Sequence, residues 1–375
     1  MIESSVVDAT QEMTIRWLTD GRRVVQALLV SVVGSAPLPE GAMLVVDEDG
    51  AVEGSITGGC VEGAVVVEAE RLLAGTREPG VLSYGISDEL AGTVGLMCGG
   101  TVNILLAELA GTAAETEFDA LRAHAEGRPV AIATALDGSP GARLAIVDGR
   151  VLGSLDGPEL LDRNVARTAA GLLEEGRTTI CRFGADGVTL GAERQVHVRA
   201  YAPQPKMVVV GAIDFAAAIA PIAAQLGYVV TILDARERFA RSNRFTAAAV
   251  VKVGWPQDLL PGIELGPRDV VLVFTHDSKF DEPALLSALA TRAGYIGALG
   301  SRKTTADRER RLRAHGVDDD GLARIHSPCG LDIGSRTAEE TAISVLAEII
   351  SVRARRCAAP LRETSGPIHT RQRSL

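Results

Sequence analysis

From Lys206 to Arg236 the chain reads KMVVVGAIDFAAAIAPIAAQLGYVVTILDAR: an apolar run, a glycine turn, an alanine-rich stretch, a second apolar run and an acid. No other segment restricts the fold as strongly. A buried strand that passes through glycine into a helix and returns as a strand is a βαβ unit, which calls for a parallel sheet covered by helices on both faces. Further strands are expected at AAAVVKV (247–253), DVVLVFT (269–275), YIGALG (295–300) and ARIHS (323–327), with helical patterns between them. TAEETAISVLAEIISVRAR closes the unit as a long helix, acidic at its start and basic at its end, as the helix dipole prefers. The prolines of YAPQPK (201–206) mark its beginning. A Rossmann-like domain is therefore expected over 203–362, followed by a polar tail over 363–375.

The preceding half carries a different signal. RRVVQALLVSVV (22–33) and RPVAIATA (128–135) both read as buried strands after a basic start. Each leads through turns and strands into a helix, and Gly54-Ser55-Ile56 matches Gly153-Ser154-Leu155. The expected fold class is thus α/β, with an N-terminal α/β region holding a duplicated strand–turn–strand–helix unit (1–112 and 113–202) before the Rossmann-like domain.

Two cysteines stand beside glycines in the first copy, in GSITGGCVE (54–62) and GLMCGGTV (95–102). Glycine beside a thiol leaves room for a ligand and frees backbone N–H groups for an anion. This marks Gly58, Gly59 and Cys60, and Cys98, Gly99 and Gly100. Apolar residues at helical spacing follow Cys60 (Val61, Val65, Ala69, Leu72), which places the thiol in the first turn of a helix, where the dipole favours thiolate. TVNILLAEL after Cys98 reads as a strand. A buried structural cysteine is the competing reading for both. The second copy has DGPELL where the first has TGGCVE, and a thiol needed only for packing would be expected in both. Cys181 and Cys357 are read as a core residue or an incidental surface thiol.

In the Rossmann-like unit the nucleotide fingerprint is incomplete. Gly211 occupies the first glycine position of G-x-G-x-x-G, while Ile213 and Ala216 take the second and third. The missing second glycine weighs against close approach of a pyrophosphate, so NAD(P) binding is doubtful. Asp234 ends the second strand where an acid would meet a ribose hydroxyl; a purely structural aspartate is the alternative. His276 and the Ser301-Arg302-Lys303 loop follow later strands at the carboxyl edge, where open α/β sheets bind ligands, and the loop suits a phosphate. No metal-ligand spacing, nucleophile elbow or phosphate loop is present.

A net charge of −10 argues against nucleic acid or an anionic membrane as main partner. No apolar run reaches the roughly 20 residues of a membrane span. The acidic N-terminus and five widely spaced cysteines fit a cytoplasmic protein with reduced thiols.

Taken together, GSITGGCVE, GLMCGGTVNILLAEL, FTHDSKFDEPAL, YIGALGSRKT and SPCGLDIGSRTAEETAISVLAEII resemble the XdhC/CoxI family. The resemblance covers most of the chain and is weakest over 115–200. It implies an accessory protein that binds molybdenum cofactor, with or without a nucleotide tail, supports its sulfuration by a cysteine desulfurase and passes it to an apo molybdenum hydroxylase of the xanthine dehydrogenase or CO dehydrogenase type. It makes Cys60 the cofactor-associated thiol and metal contact, implies a chaperone more than a catalyst, and allows a homodimer. This chain departs from the family at Ile213 and at Cys329, where isoleucine is usual. An NAD(P)-dependent oxidoreductase and a thiol redox or sulfur-transfer protein are the alternatives.

Overall fold

The computed structural model describes residues 8–34, 36–86, 100–241, 244–245, 249–275 and 277–365. They form two compact units, divided in sequence between Pro203 and Gln204.

The N-terminal unit runs α1 (Ala9–Thr19), β1 (Val24–Gly34), β2 (Met43–Asp47), β3 (Val52–Gly54), α2 (Glu62–Leu73), β4 (Gly80–Ile86) and β5 (Gly100–Leu109). The same succession follows as α3 (Gly111–Ala125), β6 (Val130–Ala135), β7 (Arg143–Val147), β8 (Arg150–Ser154), α4 (Glu159–Glu175), β9 (Thr179–Phe183) and β10 (Arg194–Tyr201). Both sheets are antiparallel, with strand orders β3-β2-β1-β5-β4 and β8-β7-β6-β10-β9. The duplication extends to atoms. Gly54 and Gly153 both have positive φ (93° and 71°), and a Cβ on either would lie 2.4 Å from a carbonyl oxygen, that of Met43 or Arg143. It would also strike a threonine hydroxyl, of Thr10 on α1 or Thr116 on α3. Each copy therefore owns a leading helix, which the sequence pattern did not disclose.

One face of each sheet packs on its crossover helix, through Val65, Ala69 and Leu72 of α2 and through Val165, Ala169 and Leu172 of α4. Between the copies lies an interior that is partly polar. Glu117 of α3 is fully buried and accepts two hydrogen bonds from Arg199 (2.7 and 2.9 Å) and one from Gln26 (3.1 Å). Arg143 lies 3.4 Å from Glu117 and donates to Gln26 (2.9 Å). Burial would raise the Glu117 pKa, but Arg199 and Arg143 hold it down to about 2.

His197 sits two residues before Arg199 on β10, fully buried, with neither ring nitrogen hydrogen-bonded among the described residues. Burial, reinforced by Arg199, lowers its pKa from 6.5 to about 3. Between those pH values the unfolded chain binds a proton that the folded unit refuses. Its stabilising contribution is complete above about pH 6.5 and falls by about 1.4 kcal/mol per pH unit below it. Denaturant melts of the N-terminal unit should show this slope, and His197→Gln should flatten it; an unchanged slope would remove His197 as its source.

The C-terminal unit contains β11 (Lys206–Val210), α5 (Asp214–Gln225), β12 (Val229–Asp234), β13 (Ala249–Val253), β14 (Val270–Val273), α6 (Ser278–Leu289), β15 (Tyr295–Ala298), α7 (Arg302–Ala314), β16 (Ile325–His326) and α8 (Ala338–Arg353). Its sheet is parallel throughout, in the order β13-β12-β11-β14-β15-β16. The runs of β11, β14 and β15 are buried on both faces, against α5 and α8 on one side and α6 and α7 on the other, while Val250 and Val253 of the edge strand β13 stay exposed. Strand order reverses between β11 and β14, so the carboxyl edge there is the natural crevice.

Candidate functional site

Residues 55–61 form a tight loop between β3 and α2, built around the Glu62 carboxylate. It accepts hydrogen bonds from Ser55 Oγ (2.7 Å), the amides of Ile56 (3.1 Å), Thr57 (2.7 Å), Gly59 (2.9 Å) and Val61 (3.1 Å), and Thr57 Oγ1 (2.7 Å). Burial opposes ionisation of Glu62, but these donors win and hold its pKa to about 2. Sequence reasoning misses Glu62; an acid at the first helical position after a glycine bend is the signal that could have found it.

Cys60 does not stand in the first turn of a helix, contrary to expectation: α2 starts at Glu62 with Val61 as its cap, so the thiol precedes the helix. Nor are the glycine amides free for an anion. Gly59 donates to Glu62, and Gly58 donates to Ser55 Oγ (3.0 Å). What the glycines provide is backbone shape and space. Both have positive φ (73° and 111°), and a Cβ on Gly59 would meet nothing within 4 Å. Cys60 is a free, half-buried thiol on this bend. In the second copy the matching loop keeps one such bond, Leu155 N to Asp162 (3.0 Å), and no cysteine.

Cys98 and Gly99 lie outside the described residues. Gly100 opens β5, the strand expected there, and pairs with Gly34 and Ile86.

At the Rossmann edge, Gly211 has φ 111°, and a Cβ would lie 2.8 Å from Thr275. Ile213 caps α5 and packs into the core instead of leaving the open approach of a second glycine. Asp234 is not available to a ribose hydroxyl. Its oxygens accept from the Ala212 amide (2.7 Å), the Arg236 amide (2.8 Å) and the Arg236 guanidinium (2.9 and 2.7 Å). Burial disfavours its charge, yet Arg236 and the two amides keep its pKa below the usual carboxylate range. Ser301 uses its hydroxyl to cap α7, accepting from Thr304 N (3.1 Å). Arg302 and Lys303 are exposed in the first turn of α7, which has no acidic residue to offset them. His276 lies outside the described residues.

Beneath these loops Arg308, fully buried, donates to Asp281 (3.1 Å), Ser327 Oγ (2.7 Å) and the Leu299 carbonyl (2.8 Å). Asp281 also accepts from Thr275. One guanidinium thus ties together the chain ends of β14, β15 and β16. Cys329 is a core residue, with burial raising its pKa to about 12; Cys181 is buried likewise, at about 11. Cys357 is exposed. Among the described residues no cluster of three His, Cys, Asp or Glu side chains could hold a metal ion, and no helix is long and apolar enough to cross a membrane.

Two family descriptions match this arrangement: residues 17–85, which contain the Cys60 loop, match the XdhC and CoxI family, and residues 207–349 match the XdhC Rossmann domain. The chain belongs to the XdhC/CoxI family. It is 26% identical over 343 residues to a protein of Bacillus subtilis (strain 168) named as a probable xanthine dehydrogenase subunit, covering 90% of this chain and 96% of that protein. It is 27% identical over 336 residues to the molybdenum cofactor insertion chaperone PaoD of Escherichia coli (strain K12), covering 90% and 85%. A 29% match to the uncharacterized protein YqeB of the same organism spans 56% of this chain and 40% of that protein. A crystal structure from Bacillus halodurans, described as a xanthine dehydrogenase, shares the fold with a TM-score of 0.60 at 24% identity, over 94% of this chain and 98% of that one.

Proposed function

We propose that this XdhC/CoxI protein binds molybdenum cofactor through Cys60, supports its sulfuration by a cysteine desulfurase, and delivers it to an apo molybdenum hydroxylase of the xanthine dehydrogenase type in the cytoplasm. The observation that carries the reading is the Cys60 thiol, held on a glycine bend that Glu62 locks in one copy of a duplicated fold and that the other copy lacks. The likeness to a cofactor insertion chaperone over 90% of the chain supports it.

The residues present fit one part of such a ligand. A half-exposed cysteine sulfur is a soft donor suited to the molybdenum end. The neighbouring amides are taken by Glu62 and Ser55, so an anionic tail would be held elsewhere, and exposed Arg302 and Lys303 are candidates. When bound, the cofactor would present its molybdenum to the cysteine desulfurase that supplies the sulfur; this chain supplies a thiol contact and a rigid loop. A dehydrogenase reading is less supported, because Asp234 is engaged by Arg236 and Ile213 fills the glycine position.

Cys60→Ala is expected to keep the thermal midpoint within a few degrees, since a half-exposed thiol supports little packing. Molybdenum retained by the purified protein, measured by elemental analysis, should fall to background. Undiminished retention would overturn the reading.

A further inference from the structure

The chain is only 3% aromatic, yet aromatic side chains gather at the carboxyl edge of the parallel sheet. Phe239 follows β12, Trp255 follows β13 directly after Gly254, and Phe280 stands in the first turn of α6 after β14. Trp255 stacks on Phe280 with centroids 4.9 Å apart. The Arg236 guanidinium lies 4.2 Å from the Phe239 ring and 5.6 Å from Phe280, and Lys279 Nζ lies 5.0 Å from Phe280. Phe280 is buried, but Trp255 and Phe239 are each 41% exposed. Exposed rings at a sheet's ligand-binding edge, in a chain with few rings to place, form a stacking platform.

We propose that this platform binds the base of a nucleotide, stacked on Trp255 and the Arg236 plane, with Arg236 and Lys279 drawing its phosphate. Asp234 holds the guanidinium through two parallel bonds, so the cation is fixed before any ligand arrives. Lys279 is ion-paired with Asp277 (3.0 Å), but both side chains are exposed and such a pair is weak, so a phosphate can displace the carboxylate. Recognition differs from the usual dinucleotide pattern in one respect. Four donors already occupy the Asp234 oxygens, so the ribose hydroxyls are not read by this acid. The inference does not require Cys60, and the two can fail separately.

Tryptophan fluorescence of the full chain tests this, since Trp255 is one of two tryptophans and the other, Trp17, is buried in α1. CMP, GMP and AMP are titrated with ribose 5-phosphate as the control. At least one nucleotide should quench saturably while ribose 5-phosphate does not, and its 2′-deoxy form should bind within about threefold. By calorimetry Trp255→Ala should weaken that nucleotide at least tenfold, as loss of base stacking does, whereas Trp255→Phe should stay within about threefold. Molybdopterin with and without a nucleotide tail separates the two sources of the base. A tailed form that binds more tightly than both the free nucleotide and the untailed form identifies a cofactor tail, and equal binding of tailed form and free nucleotide identifies a free nucleotide. Equal quenching by ribose 5-phosphate, or Trp255→Ala binding like the parent, would overturn the proposal, as would failure of all three nucleotides to bind. Retained cofactor loss in Cys60→Ala alongside such a failure would leave the chaperone reading standing.

Discussion

Glu117→Ala is expected to cost the N-terminal unit about 3–5 kcal/mol, because it leaves Arg143 and Arg199 buried without a counter-charge. For a unit of this size that is a drop on the order of 10 °C in its melting temperature. The C-terminal unit has none of these side chains and should melt as before. The loss should be recovered largely by Glu117→Leu combined with Arg143→Met and Arg199→Met, since apolar groups of similar volume remove the desolvation cost altogether. Calorimetry of the full chain, with hydrogen exchange to assign each transition, reads both outcomes. A shift below about 1 kcal/mol in the single variant would mean that water reaches the two arginines.

Glu62→Ala should produce the second large effect. It withdraws the acceptor from six donors at once, two of them the amides of the buried Ile56 and Thr57. Unsatisfied donors of this kind cost roughly 1–3 kcal/mol each, so a loss of about 2–4 kcal/mol is expected, some of the loop regaining water. Amide exchange at Ile56, Thr57, Gly59 and Val61 should accelerate by at least tenfold. Cofactor retention should fall although Cys60 is intact, since the thiol loses its fixed bend. The same carboxylate sets an acid limit. Its folded pKa is about 2 against an ordinary 4.5, so its contribution is complete above about pH 4.5 and is lost as pH falls through 2. Unaltered amide exchange in Glu62→Ala would show that the glycines hold the loop by themselves.

Much of the architecture was readable from residue patterns. The alternation of apolar runs with helical periodicity after Lys206 foretold a parallel sheet, and β11, β12, β14 and β15 fall inside the expected segments. The Gly-Ser-Ile and Gly-Ser-Leu match pointed to a duplication that the strand orders bear out. Such features are local: a strand buried on both faces, a helix with one apolar stripe and a glycine forced to positive φ leave marks within a few residues.

The site was legible only in part, for the opposite reason. A glycine pair beside Cys60 showed where the chain bends, but not that Glu62 would claim the amides it frees. Asp234 stood at the right strand end, and only the folded chain turned Arg236 back upon it. Cys329 stood out in the sequence only as a departure from the family's isoleucine, and the packing of β15 and α8 makes it a core residue.

By itself the sequence determined the parallel and repeated halves and the glycine bend that carries Cys60, because backbone propensity and burial periodicity act over short stretches of chain. Tertiary structure alone decided which charges meet. Gln26, Glu117, Arg143 and Arg199 lie as much as 173 residues apart along the chain, yet share one buried cluster. Their pairing, like the gathering of Phe239, Trp255 and Phe280 at one sheet edge, depends on how strands are ordered and registered in space. No local pattern encodes that, since a buried charge is stabilised by whichever opposite charge the completed fold brings within hydrogen-bonding distance.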